Sequence, residues 1–571
     1  MKKLNRHLKP SLLAVAFLAA VASIPSQAAT LTVSTVADTV GGAACSLRDA
    51  VRSVNAGSDQ GGCTAVVTEA YGTNDTITLP AGTYLLSLGG LDETPTTADY
   101  TATVSNVPNA SIGDLDLMKS VRIIGAGSGT TRIEWAAAET DPTKTDRIFH
   151  IYNTEIVANT VNVTIQGLTL ASGKTFQVDL GTDPANTIMH YYLRRAGGAL
   201  ALGAAANVVA INTTLSGTDN ANSGGLGGST GGESGATTYT LALSDVVVDS
   251  SSAQGDGGGL YIAAQTNAQN VVVRNNTSMT NGGGLYNEAN TTITNSTFSG
   301  NTAEGGGGFF ATGSNTVSIS GTTLSGNQAV GGGALSTRSG VTVNMVNSTI
   351  SGNIGIDVGA GIYSNGAVNL NFVTIAKNIS SADSPNAGSG INLFPAGGTA
   401  LTLKNVLLEG NLTGSDPLLR TSANCGKTGS GGTVTSQGHN LSSDASCNTS
   451  PILWLTDTTD KNNLDPKIDV LALNSPGLTQ THALLPGSPA LAAGLATAGV
   501  TTDQRGVTRD ATPDIGAYEV RTAVTSGGGG GGGCTINPNG NAAFDPGLLG
   551  LLGAAMAGLF LRRRRQLAAR R

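Results

Sequence analysis

The feature that most restricts the fold of this chain is a short phrase of residues that occurs five times between Gly257 and Asn378. A glycine-rich cluster followed by one large apolar residue returns every 24 to 27 residues: Gly257-Gly258-Gly259-Leu260, Gly282-Gly283-Gly284-Leu285, Gly306-Gly307-Gly308-Phe309, Gly332-Gly333-Ala334-Leu335 and Gly359-Ala360-Gly361-Ile362. A second phrase keeps nearly the same period: Thr297-Phe298-Ser299-Gly300-Asn301, Thr323-Leu324-Ser325-Gly326-Asn327, Thr349-Ile350-Ser351-Gly352-Asn353 and Thr374-Ile375-Ala376-Lys377-Asn378. Two phrases that share one period predict a stack of repeated units in which each unit packs on its neighbours.

The residues between the phrases predict short strands joined by tight turns. Runs of β-branched residues alternate with Gly, Asn and Ser, as at Val271–Val273 and Thr316–Ile319, and no stretch carries a helical stripe. A unit of about 25 residues fits one coil of a right-handed parallel β-helix, with coils about 4.8 Å apart. We therefore predict an all-β solenoid in which an Asn of one coil hydrogen-bonds to an Asn of the next. A disordered low-complexity segment is the alternative, but it would not need an apolar residue after every glycine cluster.

The residue after each of those apolar residues is the next point of interest. If the apolar residue points inward, its successor points outward. Four of the five successors are aromatic in a chain with only 4% aromatic residues: Tyr261, Tyr286, Phe310 and Tyr363. This column is a candidate ligand-binding ladder on which sugars could stack. The alternative is a column of rings that only stabilise one another, by about 0.5–1.5 kcal/mol for each pair.

Composition and charge exclude one class of partner. The chain has 571 residues, of which 80 are Gly and 12% are charged, whereas globular domains carry about twice that charge and half that glycine. The formal net charge is −7. Without the ten basic residues near the two ends, 21 basic and 38 acidic residues remain, so the body carries about −17. Such a body is a poor partner for nucleic acid.

Residues 1–28 read as a secretory signal peptide. A basic start is followed by an apolar run from Leu12 to Ile24 and by Ser26-Gln27-Ala28, a small-x-small cleavage site. An uncleaved anchor is the alternative, but the apolar run is short for a membrane span. We therefore expect an exported protein in which disulfides can form.

Residues 29–110 form the predicted N-terminal cap. The run Cys45-Ser46-Leu47-Arg48-Asp49-Ala50-Val51 resembles the CSLREA domain found near the start of bacterial surface proteins, with Asp49 where the family has Glu. The resemblance implies a short capping helix and first strands that cover the apolar end of the solenoid. The β-helix itself is assigned to residues 111–420, with irregular insertions near 173–195 and 216–238.

Cysteine arithmetic and a second resemblance describe the later part, residues 421–522. The simplest pairing joins Cys45 to Cys63 and Cys425 to Cys447, since a metal site would need CxxC spacing or paired histidines. Residues 481–491 and 503–519 resemble the "choice-of-anchor" C-terminal region of bacterial β-helix surface proteins. Arg505, with Asp503, Asp514 or Glu519, could form a catalytic cluster. We expect instead that these charges donate and accept hydrogen bonds that seal the last coil.

The chain ends in a tail of unusual composition. Residues 523–546 are a Gly-rich linker that contains the fifth cysteine, Cys534, and residues 547–571 are an apolar helix followed by Arg562, Arg563, Arg564 and Arg565. Fifteen helical residues reach about 22 Å, less than the ~30 Å of a hydrocarbon core. The arrangement resembles Gram-negative sorting tails that are read by a membrane sorting protease. It implies a transient inner-membrane anchor and a mature protein at the cell surface, at the outer membrane or outside the cell. A permanent single-span anchor is the alternative.

Catalysis has weak support in the sequence. Glycosidic hydrolysis needs two carboxylates that face one sugar ring, and a lyase needs a base beside bound Ca²⁺. The acids on the regular coils are sparse: Asp256, Glu288, Glu304 and Asp357. Four of the five histidines are scattered along the chain: His150, His190, His439 and His482. We predict no catalytic residue, metal or cofactor, and a non-catalytic adhesion module whose partner is an extracellular polysaccharide or surface ligand. A polysaccharide lyase or glycoside hydrolase on the same shaft is the alternative.

Overall fold

A computed structural model describes residues 28–66, 70–72, 75–89, 110–135, 146–151, 160–175, 200–202, 238–381, 383, 388–394 and 398–521. The signal peptide up to Gln27 and most of both insertions lie outside the described residues. So do the linker with Cys534 and the C-terminal helix with its four arginines. Within the described part of the chain, no helix combines the length and apolar character that crossing a membrane requires.

The fold is a right-handed parallel β-helix, as the period predicted. Its largest sheet, called the long sheet here, has 21 parallel strands among the described residues. Their bounds are Thr30–Thr32, Asp75–Leu79, Gly82–Leu86, Val121–Gly125, Thr131–Trp135, Thr160–Gln166, Thr169–Ala171, Thr238–Ser244, Val247–Asp249, Gln265–Gln269, Val272–Arg274, Thr291–Thr294, Thr297–Ser299, Thr316–Ser320, Thr323–Ser325, Thr342–Ser351, Ala367–Ala376, Ala400–Lys404, Leu407–Glu409, Thr433–Ser436 and Leu441–Ser442.

Two further faces complete each coil. Over the part of the chain that the structure describes, the glycine-cluster sheet has ten parallel strands: Leu115–Leu117, Phe149–Ile151, Leu200–Leu202, Leu260–Ile262, Leu285–Asn287, Phe309–Ala311, Leu335–Thr337, Ile362–Ser364, Ile391–Leu393 and Cys425–Lys427. The third face has two short sheets, with strands Lys174–Thr175, Ser252–Ala253, Thr277–Ser278, Gln328–Gly331, Ile354–Val358, Ile379–Ser380, Leu412–Thr413 and Thr421–Ser422. Two hairpins lie beyond the coils, Asn448–Thr449 with Ile452–Leu453 and Ile468–Ala472 with Thr481–Leu484.

The glycine clusters exist because backbone of the next coil lies where a side chain would be. A Cβ placed on Gly283 would meet the carbonyl oxygens of Thr302 and Gly307 at 2.5 Å. The preceding Gly282 has φ +69°, in the left-handed region that favours glycine. The apolar residues that follow the clusters pair in register from coil to coil and are at most 2% exposed. The inward direction predicted for them is confirmed.

A ladder of asparagines runs through the interior next to the second phrase. In each step, one side-chain amide donates to the side-chain oxygen of the next asparagine at 2.7–3.0 Å. The ladder consists of Asn276, Asn301, Asn327, Asn353, Asn378, Asn411 and Asn424, all fully buried. The predicted Asn contacts between coils are confirmed.

The N-terminal end carries the predicted capping helix, Leu47–Ala56. The Ser46 side chain accepts from the Asp49 amide at the helix start, and Gly57 ends the helix with φ 67°. Arg48 is fully buried and donates to the Asp38 carboxylate at 2.7 Å and to the Gly113 carbonyl at 3.1 Å. The predicted disulfide between Cys45 and Cys63 is present, as is the one between Cys425 and Cys447.

The C-terminal region differs from the prediction. Residues 443–464 cover the last coil, where Trp454 and Leu455 join the main core. Residues 465–520, called the strap here, then turn back along the long sheet. Thr479 donates to the Gly321 carbonyl at 2.8 Å, and the Ala517 amide donates to Thr374 Oγ1 at 3.0 Å. The expectation that this region seals the last coil is therefore wrong, because it lies along the side of several coils.

The charges of the strap hold its own turns together. Arg505 donates to Asp503 at 2.7 Å and lies 3.5 Å over the Tyr518 ring, so the expected charge-assisted hydrogen bonds are present. Glu519 pairs instead with Arg509, at 3.0 Å. Sequence reasoning did not single out Arg509, whose partners on the shaft lie more than 100 residues away.

Candidate functional site

The aromatic column forms a stack of rings, and three of its residues are buried. The ring centroids of Tyr261 and Tyr286 are 5.1 Å apart, and those of Tyr286 and Phe310 are 5.4 Å apart, with nearly parallel planes. The three residues are only 2%, 5% and 4% exposed. They lie apart from the main core, on the outward side that was predicted, but each ring covers its neighbour and the Phe310 ring lies against the turn at Gly305. Tyr363 is half-buried and does not extend this stack; its ring centroid lies 6.1 Å from that of Phe394.

Two of the predicted coil acids lie beside this stack. Tyr261 donates to Glu288 at 3.1 Å, and Asp256 accepts from the side chains of Thr280 and Asn281. Burial raises the pKa of Glu288, and the charge of Asp256 adds to that shift. Glu304 and Asp357 are exposed and do not join them. The acids near the stack thus hold protein groups in place.

A buried charged cluster lies on the N-terminal part of the glycine-cluster sheet. Asp116 pairs in register with His150, and candidate ligand atoms of Asp114, Asp116 and His150 lie within 4.8 Å of one another. Sequence reasoning missed this group because only strand pairing joins residues 34 positions apart. Arg147 Nε lies 3.4 Å from Asp114, so a protein cation already balances charge here. We interpret the cluster as an ion-pair network.

A groove lies between the long sheet and the strap hairpin Ile468–Ala472 with Thr481–Leu484. Three serines of the second phrase pair in register on the sheet side: Ser299, Ser325 and Ser351. The groove has a volume of about 640 Å³ and is called the serine groove here. Its lining comprises Asn275, Ser299, Gly300, Ser325, Gly326, Ser351, Gly352, Lys377, Ile468, Asp469, Val470, Leu471 and His482.

The most specific contact in the serine groove joins Ser351 to His482. Ser351 Oγ lies 2.8 Å from His482 Nε2, and His482 Nδ1 lies 2.6 Å from the Asp469 carbonyl oxygen. A carbonyl oxygen only accepts, so Nδ1 carries the hydrogen and Nε2 accepts from the serine. Neither residue was predicted as a site residue. The phrase containing Ser351 is visible in the sequence, but its partner is 131 residues away.

Two ion pairs lie beside the groove. Arg274 lies 2.9 Å from Asp249 and Lys377 lies 2.8 Å from Glu409. Burial pushes the pKa of Asp249 upward, but hydrogen bonds from Arg274 and Asn275 outweigh that effect and leave it lowered. Beside these pairs, the groove lining combines serine hydroxyls and the His482 imidazole with the exposed carboxylate of Asp469 and a larger apolar surface.

His482 should make the stability of the wild-type protein fall as pH drops from 7 to 5. Burial lowers the folded-state pKa of His482 below its ordinary value near 6.5, so the unfolded chain binds the proton first. Its contribution is present above pH about 6.5 and is lost as the pH falls from there toward the folded-state pKa. Thermal melts of the wild type and His482→Gln at pH 7 and pH 5 measure this. Other carboxyl shifts are common to both proteins, so an equal pH effect in both would contradict the prediction.

The fold and the groove define the class: a parallel β-helix protein with a groove on its side. No protein-family model and no curated protein matches the sequence. Among solved structures, the pectate lyase Pel9A has a TM-score of 0.40 and 13% identity, over 78% of this chain and 88% of that one. The A-module of the Azotobacter vinelandii mannuronan C-5 epimerase AlgE4 has a TM-score of 0.25 and 16% identity, over 64% and 91%. A Yersinia enterocolitica family 28 exopolygalacturonase has a TM-score of 0.21 and 12% identity, over 65% and 64%.

Proposed function

We propose that this chain is an exported cell-envelope or surface β-helix protein that binds an extracellular polysaccharide in the serine groove. The observation that carries the proposal is the repetition of the groove wall, which presents one serine from each of three successive coils. Coils repeat every ~4.8 Å, so serine recurs along the wall at regular intervals. A periodic wall suits a periodic ligand, and Val470 and Leu471 supply the apolar contact that sugar rings also need.

The charges of the groove favour an uncharged or weakly charged polysaccharide. Arg274 and Lys377 are each paired with a carboxylate, and buried His482 favours its neutral form. A polyanion would find no unpaired cation among these groups and would meet an acidic body. A neutral chain can use the hydroxyl and amide groups without this penalty.

Export and sorting belong to the same proposal. The disulfides Cys45–Cys63 and Cys425–Cys447 are typical of oxidising compartments and support export. The tail with Cys534 and residues 562–565 is proposed to anchor the chain briefly in the inner membrane until a membrane sorting protease removes it. The resemblances to the CSLREA and choice-of-anchor regions support placement at the surface of a Gram-negative bacterium.

Partly filling the groove should weaken polysaccharide binding. Ser299 is half-buried on the groove wall, so the indole of Ser299→Trp should fill part of the groove and weaken polysaccharide binding at least about tenfold. The matched control is Ser318→Trp, because Ser318 is also half-buried on the long sheet but does not line the groove. Calorimetric titration with neutral and acidic polysaccharides measures both variants. Equal affinities for the two variants, or no binding by the wild type, would contradict the proposal.

A lyase or glycoside hydrolase is the second candidate, and the groove supports it less well. Glycosidic hydrolysis requires two carboxylates on opposite sides of one bond. Among the described residues that line the groove, Asp469 is the only carboxylate. Shortening of the polysaccharide by the purified protein, seen by size-exclusion chromatography, would overturn the adhesion proposal in favour of this one.

A further inference from the structure

We propose that Ser351 and His482 form a nucleophile–base pair that hydrolyses ester-linked acyl substituents on the polysaccharide in the serine groove. The inference rests on the proposed function for its substrate class, because only groove binding brings such an ester to Ser351. Its chemistry is independent of that class, since any small ester that enters the groove would meet the same two side chains.

The geometry satisfies the requirements for an activated serine. A serine nucleophile needs a base within about 2.6–3.2 Å and a third group that orients the base. Ser351 Oγ and His482 Nε2 are 2.8 Å apart, and the Asp469 carbonyl holds the Nδ1 hydrogen at 2.6 Å. The imidazole is therefore in the tautomer that can accept the serine proton. A backbone carbonyl performs here the orienting task that an aspartate performs in the Ser-His-Asp arrangement.

The position of the pair also favours chemistry over a purely structural contact. Other hydrogen bonds attach the strap to the same coils, including Thr323 to the Gln480 carbonyl at 2.7 Å and Thr349 to Gln504 at 2.7 Å. None of these four residues lines the groove. Ser351 and His482 are nearly as buried, at 3% and 4% exposure, but both line it. The strap is thus attached to the coils by other hydrogen bonds, and of these three pairs only Ser351 and His482 line the groove.

Charge that develops on the ester oxygen needs a stabilising group. The nearby amides of Gly326 and Gly352 donate to the carbonyls of Ser351 and Ala376, so coil-to-coil hydrogen bonds occupy them. Lys377 lines the groove, and its positive charge acts on His482. Lys377 is therefore the group assigned to stabilise the oxyanion, while Glu409 holds its ammonium at 2.8 Å.

The reaction balances with water as the only co-reactant. Ser351 Oγ bonds to the acyl carbon as its proton moves to His482 Nε2. The bond from the acyl carbon to the sugar oxygen then breaks, and His482 returns the proton to that oxygen. Water next attacks the acyl-serine, again giving a proton to His482, and the acid leaves with Ser351 restored. The sum is one ester and one water converted to one sugar hydroxyl and one carboxylic acid.

The test uses the purified full chain with p-nitrophenyl acetate and with a fluorophosphonate probe. We expect hydrolysis by the wild type and a covalent adduct on Ser351 located by mass spectrometry. Ser351→Ala should lower kcat/KM at least about 100-fold and lose the adduct. Its melting temperature shows whether the variant is folded. The matched control Ser318→Ala removes a hydroxyl from the long sheet outside the groove and should keep both signals.

Two further measurements separate catalysis from attachment. The wild-type rate should rise with pH through the titration of one group, and the kcat of Lys377→Met should fall more than its KM changes. No hydrolysis and no adduct in the wild type, or unchanged rates in Ser351→Ala, would overturn the inference. If an acylated polysaccharide binds the groove yet keeps its esters, the esterase inference is overturned and the proposed binding function stands. Ester cleavage with polysaccharide binding insensitive to Ser299→Trp would overturn the proposed function while leaving the serine chemistry in place.

Discussion

Replacing Asn327 by alanine is expected to lower the free energy of unfolding by about 4 kcal/mol. The Asn327 side-chain oxygen accepts from the amide and the side chain of Asn301, at 3.0 and 2.9 Å. Its NH₂ group donates to the Phe298 carbonyl at 3.0 Å and to Asn353 at 2.9 Å. Alanine removes all four bonds inside a fully buried ladder, and each buried group left without a partner costs about 1–3 kcal/mol. Urea unfolding followed by circular dichroism measures the change.

The outer surface of the same coils supplies the control for this prediction. Asn344 is half-buried on the long sheet and accepts one bond, from Asn369 at 2.9 Å. Water can replace that partner, so Asn344→Ala should cost less than about 1 kcal/mol. Similar costs for Asn327→Ala and Asn344→Ala would show that the interior ladder has no special role in stability.

Arg509→Met is expected to destabilise the protein by about 3–5 kcal/mol and to release the strap from the shaft. Arg509 is 3.0 Å from Glu519 and donates to Asn347 at 3.0 Å, with its guanidinium 3.8 Å over the Phe372 ring. Met keeps the apolar length of the side chain but leaves buried Glu519 without its cation. Thermal melting measures the total loss. Hydrogen exchange of residues 465–520 shows whether it is centred on the strap.

The loss caused by Arg509→Met should be larger at pH 8 than at pH 5. Burial already raises the pKa of Glu519, and Arg509 acts against that shift. Without Arg509 the folded-state pKa rises further, so the ionised carboxylate at high pH disfavours folding while the protonated form at low pH does not. Arg274→Met is the control, because half of the Arg274 side chain is exposed and its pair with Asp249 is worth at most about 1 kcal/mol. Equal losses for both variants, or a strap that stays protected in Arg509→Met, would contradict the prediction.

The features predicted correctly from the sequence are those that repeat or are local. The period predicted the parallel coils, the inward apolar residues and the asparagine ladder, because each coil contacts a copy of itself one period away. The helix Leu47–Ala56 and its Ser46 and Gly57 ends depend on neighbouring residues only. Each disulfide joins two cysteines that are close in sequence, 18 and 22 residues apart.

The features that were not predicted correctly from the sequence depend on how one surface of the protein packs against another. The rule of alternating side chains placed Tyr261, Tyr286 and Phe310 on the side away from the main core, and they form a separate cluster there. It could not show that the rings would cover one another. The strap was expected to cover the last coil. The same charged and polar residues can hydrogen-bond to the end of a β-helix or to its side, so their presence in the sequence does not distinguish the two positions.

The sequence by itself determined the shaft, since its contacts recur at a fixed separation of about one coil and therefore leave a pattern in the residues. The tertiary structure alone decided the serine groove and the Ser351–His482 pair. The strap returns to the coils once, over separations of 131 residues or more at Ser351, Thr349 and Thr323. A contact made once, between distant segments, has no period from which it could be read.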